Sequence, residues 1–221
     1  MPQKQVSEVF RKVYYWMFLG LLLSGIAAYL ALSTPLKLII FGNMWIFFGL
    51  IILELIFVVA ISGIIKKLPA KTAKTLFFFY SFLNGLTLSL IFLVYTSSSI
   101  VLVFFITASM FGIMALYGFF TKYDLSKLGP VFFMALIGLI ISLVVNMFFK
   151  SSQFDFIISI LGVIIFSALI MYDNQKIKKI ALSVRNKTQL ERYAVIATLG
   201  LYLDFINLFL FLLRLFGERK R

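Results

Sequence analysis

A chain of 221 residues that is 62% hydrophobic and 13% charged, with 27 phenylalanines, is too apolar for a soluble domain. It has neither cysteine nor histidine, which excludes disulfides, thiolate and imidazole metal sites, and every catalytic centre built on those side chains. The formal charge is +13, and its distribution decides whether it concerns nucleic acid or membrane orientation.

Apolar runs of about 18 residues or more recur along the chain, so the spans are helices rather than the short alternating strands of a barrel. The fold class is an all-α integral membrane protein, one polytopic domain over residues 1–221. Seven spans are predicted, at about 13–32, 39–65, 76–95, 99–120, 130–149, 156–175 and 196–216. The first follows Lys4, Arg11 and Lys12 like the apolar region of a signal peptide, but it is long for one and six more spans follow, so it reads as a retained helix. Lys66, Lys67, Lys71 and Lys74 fall between spans two and three, and Lys122 and Lys127 between four and five. Lys176, Lys178, Lys179, Arg185, Lys187 and Arg192 fall between six and seven, whereas the alternate connections hold only Lys37 and Lys150. The positive-inside rule therefore places the N-terminus and the three basic loops in the cytoplasm, for a multi-pass protein of the cell membrane. Seven spans then put the basic Arg219, Lys220 and Arg221 outside; either the last segment is re-entrant or this tail is an exception to the rule. The lysines serve orientation and lipid-headgroup contact, and no basic patch interleaved with aromatics points to nucleic acid.

Five acidic residues, Glu8, Asp124, Asp155, Glu191 and Glu218, fall in tails or connections; Glu54, Asp173 and Asp204 do not. In the last span Tyr193, Ala197, Gly200, Asp204, Asn207, Phe211 and Arg214 share one helical face. Similar stripes of small and polar residues are Asp155, Ser159, Gly162, Phe166 and Asp173 in the sixth span, Gly138, Ser142 and Asn146 in the fifth, and Tyr80, Asn84 and Thr87 in the third. Close helix approach and hydrogen bonding account for the Gly, Ser and Thr positions. They do not account for Asp204, because a carboxylate at the bilayer centre costs about 2.5–3.5 kcal/mol and is by default a functional residue with a partner. Asp173, in "ALIMYDNQKIKK", is either an interfacial residue or that partner, if the last helix enters the membrane near Leu199. Glu54 is a weaker case that a lysine near the inner surface would satisfy. Two carboxylates in one low-dielectric site share a proton more readily than both ionise, which senses pH without histidine; loss of the proton leaves repelling charges that attract a hard cation such as Ca2+.

Four ordered stretches, "NGLTLSLIFLVYTSSSI" (84–100), "MALYGFFTKYDLSKLGP" (114–130), "YDNQKIK" (172–178) and "LYLDFINLFLFLLRLFG" (201–217), resemble the successive signatures of the Bax inhibitor-1 (transmembrane Bax inhibitor motif) family in its bacterial branch. The resemblance implies a seven-helix fold with six helices wrapped around a central C-terminal helix, and a bacterial inner membrane location. It also implies a pH-sensitive calcium leak controlled by an aspartate pair, which maps onto Asp173 and Asp204. The family's acidic position on the second helix maps onto Glu54 in "LELIFVVAISG". The latch arginine that relatives often carry further along that helix has no counterpart, since no arginine lies between Arg11 and Arg185; Lys66 or Lys67 is the substitute, without the bidentate fork of arginine.

An intramembrane aspartyl protease would also use two aspartates on consecutive helices, one in a "YD" dipeptide. Those enzymes carry G-x-G-D at the second aspartate and a later P-A-L; here Leu201, Tyr202 and Leu203 precede Asp204 and no proline follows Pro130, so no enzyme is expected. The stronger alternative is a non-conducting membrane regulator that acts through protein partners. In the leak reading, ions cross passively because no Walker A loop is present. Asp173 and Asp204 sense pH, gate, and transiently contact Ca2+, while Glu54, Asn207, Arg214 and Lys66 give polar support. The last helix is the plugging element, with Phe209, Phe211 and Leu212 as a hydrophobic constriction. No resident cofactor is expected, and the partners are the lipid bilayer, calcium and protons.

Overall fold

The computed structural model describes residues 2–64 and 68–220. Within these residues the chain is helical: α1 Pro2–Ser33, α2 Leu36–Gly42, α3 Met44–Ile64, α4 Ala70–Leu88, α5 Ile91–Val94, α6 Ser97–Phe120, α7 Gly129–Phe149, α8 Ser152–Ser183 and α9 Lys187–Phe216, with a 3-10 turn at Leu125–Leu128. Six stretches are long and apolar enough to cross a membrane, and α2 with α3 makes a seventh if the two form one broken span. The protein is therefore an all-α membrane protein.

The boundaries follow local chemistry. Hydropathy predicts one straight span over about 39–65, yet α2 and α3 meet at 89°. Asn43, after Gly42, is extended at φ −132° and its Oδ1 accepts from Trp45 N–H at 2.9 Å, so this side chain ends one helix and caps the next. Thr96 starts α6 by accepting from Ser99 N–H, and Pro130 in the first turn of α7 loses no intrahelical bond. Lys150 closes α7 in the left-handed region at φ 50°, a posture usually left to glycine or asparagine. α1, α8 and α9 extend well past the predicted spans, because hydropathy marks where lipid begins rather than where a helix does. α9 runs unbroken for 30 residues, about 45 Å at the helical rise, long and apolar enough for a full span. In its most apolar stretch 67% of residues are buried, against 6–39% in the other spans.

The helices gather into two compact units, one of Met1–Val94 with Ile180–Tyr202 and one of Tyr95–Lys179 with Leu203–Arg221. In the first, α1 turns Val9, Val13, Met17, Ser24, Ala27 and Ala31 inward at helical spacing. Small residues let α1 and α4 meet closely: a Cβ on Gly85 would strike the Ser24 backbone and lie 2.7 Å from the Ala27 Cβ. In the second, Phe104 and Phe111 of α6 pack edge-on against Phe205 of α9, each 5.6 Å away, and Phe166 of α8 stacks on Phe211 at 5.8 Å. Gly162 leaves room for the Phe211 ring, and Gly118 of α6 lies against the backbone of Met171 on α8.

Candidate functional site

The contact of Gly118 with Met171 sets the stretch of α8 that carries Asp173, and the connection after α6 fixes it further. Gln175 accepts from Leu125 N–H at 2.8 Å and donates to the Tyr123 carbonyl at 2.6 Å. Lys178 donates to the Phe119 carbonyl at 2.7 Å, and Lys179 donates to Asp124 and to the Ser126 hydroxyl. A polar bracket thus holds the α6–α7 connection to the turn of α8 that follows Asp173. Outside the membrane-spanning segments, this bracket holds the Asp124 carboxyl down at about 2 from its ordinary 3.8, first through the Lys179 hydrogen bond and then through Ser126 N–H.

Asp204, on α9 in the same unit, is buried and lies close enough to Asp173 for their charges to interact. Its Oδ2 is enclosed with no hydrogen-bond partner among the described residues. Asp173 is half-buried and also within the field of Lys176, one turn along α8. Sequence reasoning left open whether Asp173 was an interfacial residue or the partner of Asp204; the two residues lie on α8 and α9 of the same unit. A buried carboxylate oxygen without a donor is unfavourable as an anion and is relieved by a proton or by a cation. The two carboxylates offer at most four oxygens, fewer than the about six to eight of a Ca2+ shell, and among the described residues no third acidic side chain joins them. This set suits a passing, partly hydrated ion better than a fixed one.

A second polar constellation occupies the first unit. Glu54 on α3 accepts from Thr87 at 2.7 Å and from the Asn84 amide at 3.1 Å, both on α4. Asn84 Oδ1 is then turned to accept from the Tyr202 hydroxyl of α9 at 2.9 Å, and Tyr202 pairs with Ser24 of α1 at 2.7 Å. Four helices are joined by one chain of hydrogen bonds, and every group in it has a partner. Among the described residues Glu54 is thereby satisfied by an amide and a hydroxyl; the lysine pairing that the sequence allowed falls on Lys66 and Lys67, which lie outside the described residues.

Of the other expected supporting residues, Asn207 donates to the Leu203 carbonyl of its own helix at 2.8 Å, and Arg214 pairs with Asp155 at 3.5 Å while lying over the Phe211 ring. Phe209, Phe211 and Leu212 are buried. Ser24, Tyr202 and Ser167 escaped sequence reasoning. Ser24 and Tyr202 are 178 positions apart, and Ser167, whose hydroxyl is also buried without a partner among the described residues, falls off the stripe that holds Asp173.

The profile of the family described as "Inhibitor of apoptosis-promoting Bax1" matches residues 6–221. An inner membrane protein of Escherichia coli K12, YbhL, is 45% identical over 222 residues, covering 99% of this chain and 95% of that protein. An uncharacterized protein of Borreliella burgdorferi is 48% identical over 216 residues, covering 97% of this chain and 93% of its own, and the Rickettsia prowazekii protein RP147 is 42% identical over 212, covering 95% and 89%. With the motifs, the helices and these matches in agreement across nearly the whole length, the chain belongs to the Bax inhibitor-1 family of membrane proteins.

Proposed function

We propose that the protein is a pH-sensitive, passive calcium leak of a bacterial inner membrane, with its N-terminus in the cytoplasm, gated by Asp173 and Asp204. The observation that carries this reading is the enclosed, unpartnered Oδ2 of Asp204 within reach of the Asp173 charge. One proton shared by the two carboxylates removes their repulsion and lets α8 and α9 stay together. Losing it leaves two like charges in a site of low dielectric, which part the helices and attract a cation. Packing of Phe211 on Phe166, and of Phe209 beside Phe104 at 6.2 Å, supports α9 as the plug that must shift for ions to pass. No chemistry on a substrate is called for, and the ions run down their gradient.

Purified protein in liposomes loaded with a calcium dye separates this reading from that of a non-conducting regulator. The proposal predicts calcium entry above that of protein-free liposomes, faster at pH 8 than at pH 6. Entry equal to that of empty liposomes at both values would overturn it in favour of a regulator that acts through protein partners.

A further inference from the structure

The end of the second unit remote from the Lys179 bracket holds basic residues that the leak does not use. α7 stops at Phe149, α8 starts at Ser152 and α9 stops at Phe216, and a cavity of about 550 Å³ opens where these ends converge. Its wall includes Lys150, Ser151, Ser152, Asp155, Arg214 and Arg219. Three cations thus face one carboxylate, and that carboxylate is engaged by Arg214 at 3.5 Å. Among the described residues Lys150 and Arg219 form no ion pair.

The wall is built rather than loose. Arg219 is held by a backbone bridge to Tyr95, and the Glu218 carbonyl beside it accepts from Thr96 N–H at 2.9 Å. Ser151 N–H donates to Asn146 Oδ1 at 3.1 Å, and the Ser151 hydroxyl accepts from Phe154 N–H at 3.3 Å. α8 begins in this wall, so the positive end of its dipole adds to the charge of the side chains. Phe156 joins the wall, and Phe148, Phe149 and Phe216, within two positions in sequence of wall residues, are exposed like it. An anion alone has no use for them, whereas a molecule with a phosphate at one end and acyl chains at the other fits both parts.

We propose that this cavity binds the phosphate of an anionic phospholipid, with Lys150 and Arg219 as the chief charged contacts and the phenylalanine rim against its acyl chains. Arg219, in the basic C-terminal tail that runs against the positive-inside rule, thereby gains a role, because it holds a headgroup rather than sets orientation. The inference does not depend on calcium conduction.

The test is native mass spectrometry of the delipidated full chain in detergent, titrated with phosphatidylglycerol, phosphatidylcholine or inorganic phosphate. Wild type is expected to prefer phosphatidylglycerol to phosphatidylcholine by about tenfold, given the attraction of each basic group for an anionic headgroup. The double variant Lys150→Asn, Arg219→Gln should lose most of that preference, with asparagine chosen because it tolerates the left-handed backbone at position 150. Lys127→Gln, on the basic connection at the other end, should retain it. Equal binding of the two lipids by wild type, or an unchanged preference in the double variant with an unchanged helical spectrum, overturns the proposal. Displacement of phosphatidylglycerol by millimolar inorganic phosphate overturns it in favour of a free-anion site.

Discussion

Tyr202 closes the hydrogen-bond chain of the first unit, and its hydroxyl has no substitute there, since it donates to Asn84 while pairing with Ser24. Tyr202→Phe keeps the ring, which packs edge-on against Phe77 at 5.6 Å, but leaves the buried Asn84 Oδ1 without its donor, while Ser24 still bonds to the Gly20 and Ser81 carbonyls. A loss of about 1–3 kcal/mol is expected in thermal or denaturant unfolding in detergent. Asp124 gives a residue-scale test of the bracket on α8. Its carboxyl is held at about 2 in the folded protein, below its ordinary 3.8, so the stabilisation is present above pH 4 and fades as the pH falls toward 2. Carboxyl NMR should place its midpoint near 2, and Lys179→Gln should return it toward 3.8. At this scale the sequence was informative about which residues matter and silent about their partners. Asp204 declares itself because a carboxylate in lipid needs a reason. That Arg214 meets Asp155, 59 positions away, or that Asn84 turns its amide to Glu54, depends on which helix faces are neighbours, and periodicity along one strand of sequence does not carry that.

At the scale of the helix, glycines separate close contact from open lipid. A Cβ on Gly118 would collide with the backbone of Met171, whereas one on Gly138 of α7 meets nothing within 4 Å. Gly118→Ala must push α6 from α8 and is expected to cost about 1–3 kcal/mol, and Gly138→Ala to gain about 0.5–1 kcal/mol from helix propensity. Thermal melts of the two variants would check the contrast, and equal effects would mean that α6 and α8 do not approach as described. The spans themselves were legible, since runs of apolar residues leave no other fold for the backbone in lipid. The 89° break was not, because residues on both sides of Asn43 are uniformly apolar and one asparagine barely alters the mean. The polar ends of α1, α8 and α9 were missed for the opposite reason: helix continues after hydropathy has fallen.

For the whole molecule, the charge of +13 is arranged by topology, with most lysines in connections that the positive-inside rule assigns to the cytoplasm. The absence of cysteine makes this testable without a background, by single substitutions labelled with an impermeant maleimide. Lys127→Cys should react only after the cells are opened, and Lys150→Cys should react in intact spheroplasts; the reverse pattern would invert the orientation. α9 supplies Tyr202 to the satisfied hydrogen-bond chain of the first unit and Asp204, whose Oδ2 has no partner among the described residues, to the second. That contrast is the basis for assigning stability to one and gating to the other. The most direct measurement is dye-reported calcium entry into liposomes at pH 6 and pH 8 for wild type, Asp173→Asn and Asp204→Asn. The account predicts entry that rises with pH in wild type and no longer responds to pH in either variant, because neither retains the two carboxylates whose mutual repulsion, on loss of the shared proton, opens the path. Both asparagine variants keeping the pH response of wild type would contradict it.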